Sequence, residues 1–152
     1  MNELPPNNRL TPYDDSYGTC DRTCAKFLVY PDSIEPIEIG RRLKLEPTLM
    51  KARGEKLSVT SNGVAPRHFW MISSEEHVIS KDLRRHLDWL LDQITPASQQ
   101  ILSLQLEPCV MRISCVWWSA VGHGGPALWP KHLLAIGRLN LELDFELSFY
   151  PD

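Results

Sequence analysis

The chain predicts an α+β fold, a mostly antiparallel sheet of four to five strands with helices packed on one face. Two period-2 runs, Cys109 to Ser119 and Leu141 to Phe149, read as strands. A stripe at Leu83, Leu87, Leu90, Leu91 and Ile94 reads as an amphipathic helix. Strands and helices arrive in blocks with no strict βαβ alternation, which favours antiparallel pairing. At 152 residues, with 43% hydrophobic and 23% charged, the composition fits one domain. Folding would bury roughly 70% of such a chain's surface.

Residues 1–22 hold three prolines and the pair Asp14-Asp15 with little apolar periodicity, so they are expected to form a flexible tail before a single domain over 23–152. Ala25, Phe27 and Val29 then alternate with Lys26, Leu28 and Tyr30 in a strand that Pro31 ends. Glu35-Pro36 opens a short helix, since proline at the first helical position sacrifices no hydrogen bond. Arg41 to Lys56 is the most basic stretch and reads as a helix end plus a solvated loop. Leu57 to Thr60 and Arg67 to Ser73 are expected to pair as a hairpin around Asn62-Gly63.

Ser80 has the chemistry of a cap for the striped helix, with Asp82 in its first turn. Thr95-Pro96 starts a second, shorter helix that Glu107-Pro108 stops. In the long strand that follows, Met111, Ile113, Cys115 and Trp117 share one side while Arg112, Ser114, Val116 and Trp118 share the other. Gly122-His123-Gly124-Gly125 forms a loop, and Trp129-Pro130 begins a helix through Ile136. In the last strand Leu141, Leu143, Phe145, Leu147 and Phe149 should be buried, leaving Glu142, Asp144 and Glu146 outward.

A formal net charge of -3 argues against a generic polyanion-binding surface, so no nucleic-acid partner is expected. No apolar run approaches the ~20 residues of a membrane span, and Met1 to Pro12 carries no secretory pattern; a cytoplasmic protein without membrane association is expected. Cys109 and Cys115 stand roughly 20 Å apart along one strand, too far to meet. Cys20 and Cys24 could approach only through a helical turn, so all four cysteines are expected to be free thiols.

Pro36-Ile37-Glu38-Ile39, Leu43 to Thr48, Gly54-Glu55, Trp70, Leu83 with His86-Leu87 and Leu90-Leu91, Trp117, Gly122 with Gly124-Gly125, and the ending from Leu139 to Tyr150 occur in an order that resembles a bacterial family known as domain of unknown function 4279. The resemblance covers about residues 25–150. It implies a small stand-alone bacterial protein with no established activity, and an immunity-like role beside a toxin as one setting. The chain departs from the family's pattern at Gly40 and at His123.

His68, His77, His86, His123 and His132 show no metal-ligand spacing, and no local signature marks a nucleophile, so no catalytic residue, metal or cofactor is expected. His86 and Asp88 lie two apart on a helix and cannot face each other. The glycine loop lacks a phosphate-binding ending. The carboxylates of Glu142, Asp144 and Glu146 fall about 7 Å apart on one strand face, a negative strip suited to a basic protein. Trp118 points away from the layer of Met111 and Ile113, which makes it a second contact candidate. The resulting expectation is a non-enzymatic binding protein whose partner is another protein, such as a basic toxin, held by Trp118 and the acidic row. The competing expectation is a small-molecule binder or enzyme with its pocket at Trp118, His123 and Gly124; a homodimer paired through the last strand is the third.

Overall fold

A computed structural model describes residues 3–150. The elements run β1 (Cys20–Pro31), α1 (Pro36–Leu43), β2 (Leu49–Lys51), β3 (Phe69–Ser73), α2 (Leu83–Ile94), a 3-10 turn (Thr95–Ala97), α3 (Ser98–Leu104), β4 (Cys109–Ser119), α4 (Pro130–Arg138) and β5 (Glu142–Ser148). They build a five-stranded sheet in the order β2-β3-β1-β4-β5. Every neighbouring pair is antiparallel except β4 and β5, which are parallel because α4 carries the chain back to the starting end of the sheet. The class is α+β, as the blocked order of elements predicts.

The two long strands β1 and β4 form the centre, with Cys24 opposite Val116, Phe27 opposite Ile113 and Tyr30 opposite Val110. Ala25, Phe27 and Val29 join Trp70, Ile72, Met111, Ile113 and Cys115 in one core with the inner faces of all four α-helices; the alternate residues of the strands do not belong to it. The helices therefore cover one face of the sheet, and the other face is free of helix. α2 buries Leu83, Leu87, Leu90, Leu91 and Ile94 as its stripe predicts. Burial of such a side chain contributes about 1.5–3 kcal/mol, several times any difference in intrinsic propensity, so packing rather than propensity holds this helix.

Local signals set the helix ends. Pro36 starts α1, and Lys44 closes it in the left-handed region, its N–H donating to Gly40 O. A Cβ at Gly40 would stand 2.9 Å from Leu45 O, so the tight exit from α1 requires glycine there. The cap of α2 is Asp82, whose carboxylate accepts the Arg84 N–H, rather than Ser80. Ser80 sits two residues outside and accepts the Asp82 N–H at 3.0 Å.

Three further expectations are corrected. Leu57 to Thr60 is not a strand, and β3 pairs instead with Leu49–Lys51 from the basic stretch. Leu57 and Val59 are exposed, so their alternation has no core to face, whereas the Thr48 side chain accepts the Ser73 N–H and its own N–H donates to Met71 O, which pins β2 to β3. Part of the span read as a tail, 1–22, is integrated: β1 begins at Cys20, and residues 11–17 are hydrogen-bonded to α2 and to the glycine loop. Its first two residues lie outside the described ones. Cys20 and Cys24, both in β1, are free, as are Cys109 and Cys115.

β5 supplies the third correction. Leu141 is buried, but Phe145, Leu147 and Phe149 are 41%, 48% and 37% exposed, so the apolar side of the strand is covered only at its start. The nine residues of α4 reach about 14 Å and the seven of β5 about 23 Å, so the crossover helix is too short to roof the strand it leads into.

Candidate functional site

The helix-free face is a ladder of side chains across β3, β1, β4 and β5. Register places Arg112 beside Glu142, Ser114 beside Asp144, Val116 beside Glu146 and Trp118 beside Ser148. Four of the predicted contact residues, Trp118, Glu142, Asp144 and Glu146, therefore share one face at the β4–β5 edge. Asp144 is paired with Arg112 at 3.3 Å and both are about one-third exposed. Glu142 and Glu146 are exposed. The Arg22 guanidinium lies 4.8 Å from the centre of the Trp118 ring and is bridged to Glu75. At the other end of the face Arg67 stacks 3.8 Å over Tyr30, which packs on Phe69.

His123 and Gly124 do not join that row; they lie in the exposed loop after β4. Ser119 Oγ donates to His123 O at 2.7 Å and accepts the N–H groups of Val121 and Gly122, so these loop amides already have an acceptor. Gly124 has φ +99, and a Cβ there would fall 2.6 Å from Thr19 Oγ1, so its glycine serves close packing on the segment before β1. Tyr17 O–H completes the closure by donating to Gly125 O at 2.7 Å. Four surface clefts of about 560, 490, 310 and 250 Å³ are lined by residues other than Trp118, His123 and Gly124.

The densest polar chemistry sits elsewhere, where residues 11–17 cross α2 and α4. Arg84 is fully buried, and its guanidinium donates two bonds to Asp82, one to Thr11 O at 2.7 Å and one to Pro12 O at 2.9 Å. Burial alone would raise the Asp82 carboxyl, but bonds from Arg84 and from the Asp14 N–H outweigh it and hold the carboxyl below its usual range. One turn on, Asp88 accepts from Tyr13 O–H and from His132 Nε2 at 2.7 Å. Burial opposes ionisation of Asp88 too, and the Tyr13, His132 and Lys131 partners reverse the effect and keep its carboxyl low.

His132 resembles the base of an acid–base dyad, yet its hydrogen bonds leave it no spare nitrogen. Its Nδ1 accepts the Trp129 N–H at 3.1 Å, so the ring is neutral with the proton on Nε2, donated to Asp88. Burial pushes the His132 pKa down, against the pull of Asp88. His86 is placed in the same way: Nε2 donates to Ser80 O and Nδ1 accepts from Ser74 O–H, both at 2.7 Å. Burial pushes its pKa down as well. The thiols of Cys20 and Cys109 are pushed up to about 11 by burial and those of Cys24 and Cys115 are also raised, so none is an activated nucleophile. Among the described residues no group of three or more His, Cys, Asp or Glu is placed to hold a metal, and no helix is long and apolar enough to cross a membrane.

Arg84 and Asp88 stand at i and i+4 on α2, a spacing visible in the sequence. Their partners, at 11–13 and at 132, lie far away along the chain, and no local pattern announces them. What these networks do is fasten the leading segment across two helices.

A family model described as a domain of unknown function (DUF4279) matches residues 21–150. No curated protein and no solved structure matches the chain. The matched span starts one residue into β1 and ends two residues after β5, so it takes in every strand and helix above while the fastening segment 11–17 precedes it. The chain belongs to the DUF4279 family.

Proposed function

We propose that this protein is a non-enzymatic binding protein that receives an extended segment of a basic partner protein along β5. The observation that carries the reading is the two-sided character of this edge strand: Glu142 and Glu146 are exposed on one side, and Phe145 and Leu147 are exposed on the other. β5 has a single strand neighbour, so the backbone groups of its outer side are open to a further strand. A partner strand that alternates basic and apolar residues matches both sides at once. Burying Phe145 and Leu147 would contribute about 1.5–3 kcal/mol each, against about 0.2–1 kcal/mol for each exposed charge pair, so the apolar side supplies affinity and the acids select the partner.

A second copy of this chain is a poorer occupant. Pairing β5 with itself about a two-fold axis would set acidic row beside acidic row on the same face, with like charges in contact. A basic toxin that the protein neutralises, the setting the family resemblance implies, is a partner of the required chemistry. Four free, largely buried thiols suit a reducing compartment, and we place the protein in the cytoplasm on that ground.

Affinity capture from the source cell tests the reading. The wild-type chain should retain one stoichiometric basic protein that high salt releases, and Glu142→Lys with Glu146→Lys should lose it while keeping the wild-type melting temperature. Asp144 is left intact because its pair with Arg112 is part of the fold. A partner held equally by both chains, or none held by the wild type, would reject the proposal.

A further inference from the structure

Trp70 is fully buried in β3, and its indole Nε1 has no hydrogen-bond partner among the described residues. A buried donor left unpaired is costly, and folded proteins seldom carry one without a reason. Trp70 and Gly40 both line a cleft of about 490 Å³ between the end of α1 and β2. The cleft is within the size range of small-molecule sites. Gly40 lies beside the nitrogen: a Cβ at that position would stand 3.3 Å from Nε1, so any larger residue would stopper the approach.

The rest of the cleft defines what could fill it. Ile37 and Met50 line it and are 57% and 38% exposed, an apolar wall only partly covered by the described residues. Arg41 also lines the cleft, but its charge is met by Glu38 at 2.6 Å. Lys44 has no ion-pair partner among the described residues, and it is held in place by the left-handed backbone that ends α1. Glu46 stands on the same rim and repels a second negative charge. The lining thus offers one neutral donor at the base, one unmatched cation and an apolar wall.

We propose that this cleft binds a small organic carboxylate with an apolar chain, one oxygen accepting the Trp70 indole N–H, the charge met by Lys44 and the chain lying on Ile37 and Met50. A monoanion fits better than a bare polyanion, because there is one unmatched cation and an acid beside it. The site lies at the opposite edge of the sheet from β5 and does not depend on the partner proposed there.

The test is a titration of the ¹⁵N-labelled full chain, following the indole N–H resonances of its five tryptophans. Trp70 is identified by through-bond assignment of the wild-type protein, so no core substitution is needed. Hexanoate should move the Trp70 resonance saturably, with a Kd on the order of millimolar for so small a ligand. Hexylammonium, with the same chain and opposite charge, should leave it in place, and inorganic phosphate should bind more weakly than hexanoate. Lys44→Asn, which tolerates the left-handed backbone, should raise the hexanoate Kd about fivefold. An unmoved Trp70 resonance, equal shifts with hexylammonium, phosphate binding as tight as hexanoate, or an unchanged Kd in Lys44→Asn would each overturn the assignment.

Discussion

His86 and His132 are buried rings whose four nitrogens are all committed, two donating to Ser80 O and Asp88 and two accepting from Ser74 O–H and Trp129 N–H. Protonation would turn each accepting Nδ1 into a donor facing another donor at Trp129, and would force the Ser74 hydroxyl to turn away. Burial holds both folded-state pKa values below the ordinary 6.5, so the unfolded chain takes up these protons first as pH falls. The stability contributed by the neutral rings is complete above about pH 6.5 and is lost as pH drops from there toward the folded-state values. A urea-unfolding midpoint measured from pH 8 to 5 should hold steady and then fall below about 6.5, and His86→Gln or His132→Gln should each flatten part of that fall. Asp82 and Asp88, held below 3.8, act only in a separate and more acidic window. Only the placement of His86 on the rim of the α2 stripe is legible in the sequence. The spacing correctly separated His86 from Asp88, but the pairing of Asp88 with His132 spans 44 residues and depends on how α4 lands on α2.

At the scale of elements, legibility followed the length of the pattern. β4 and α2 repeat their periods long enough to be fixed by pattern alone, and their bounds match the reading within a few residues. Leu57 to Thr60 offered four residues of alternation and no test of whether a core lay beneath them. β5 shows the converse, because its alternation is real while the burial it implies depends on the reach of a different element, α4. In the glycine loop, close packing on Thr19 accounts for the glycine at 124. Gly124→Ala should destabilise by about 1–3 kcal/mol, since the new Cβ meets Thr19 at 2.6 Å and the backbone stands at φ +99. Thr19→Gly in the same chain removes the Thr19 Cβ that would stand at 2.8 Å as well as Oγ1, and should recover the part due to collision while leaving the part due to φ. Chemical denaturation of these variants, with Thr19→Gly alone as the reference, separates the contributions, and full recovery by Thr19→Gly would show that backbone strain is absent.

For the whole molecule, the decisive feature is how a sheet covered on one face acquires a third layer of contacts from its leading segment. Residues 3–9 are exposed, and the bond from Arg9 N–H to Asn7 is local. From Thr11 onward the chain supplies two carbonyls to Arg84, an N–H to Asp82, a hydroxyl to Asp88 and the Tyr17 ring that packs edge-on against buried Trp117. Tyr13 also lies under Arg85 at 3.9 Å and against Trp129 at 4.5 Å, so a single aromatic residue ties α2 to the start of α4. Deleting residues through Leu10 should therefore change stability by no more than about 0.5 kcal/mol, as for exposed positions generally. Deleting through Gly18 removes at least four hydrogen bonds worth about 0.5–1.5 kcal/mol each, and uncovers Arg84 and Trp117 besides. That chain should lose about 3 kcal/mol or more, read from the denaturant midpoint at constant slope. Equal midpoints for the two deletions would mean that residues 11–17 rest on the domain without holding it together, and the family match beginning at residue 21 would then mark the true edge of the folding unit.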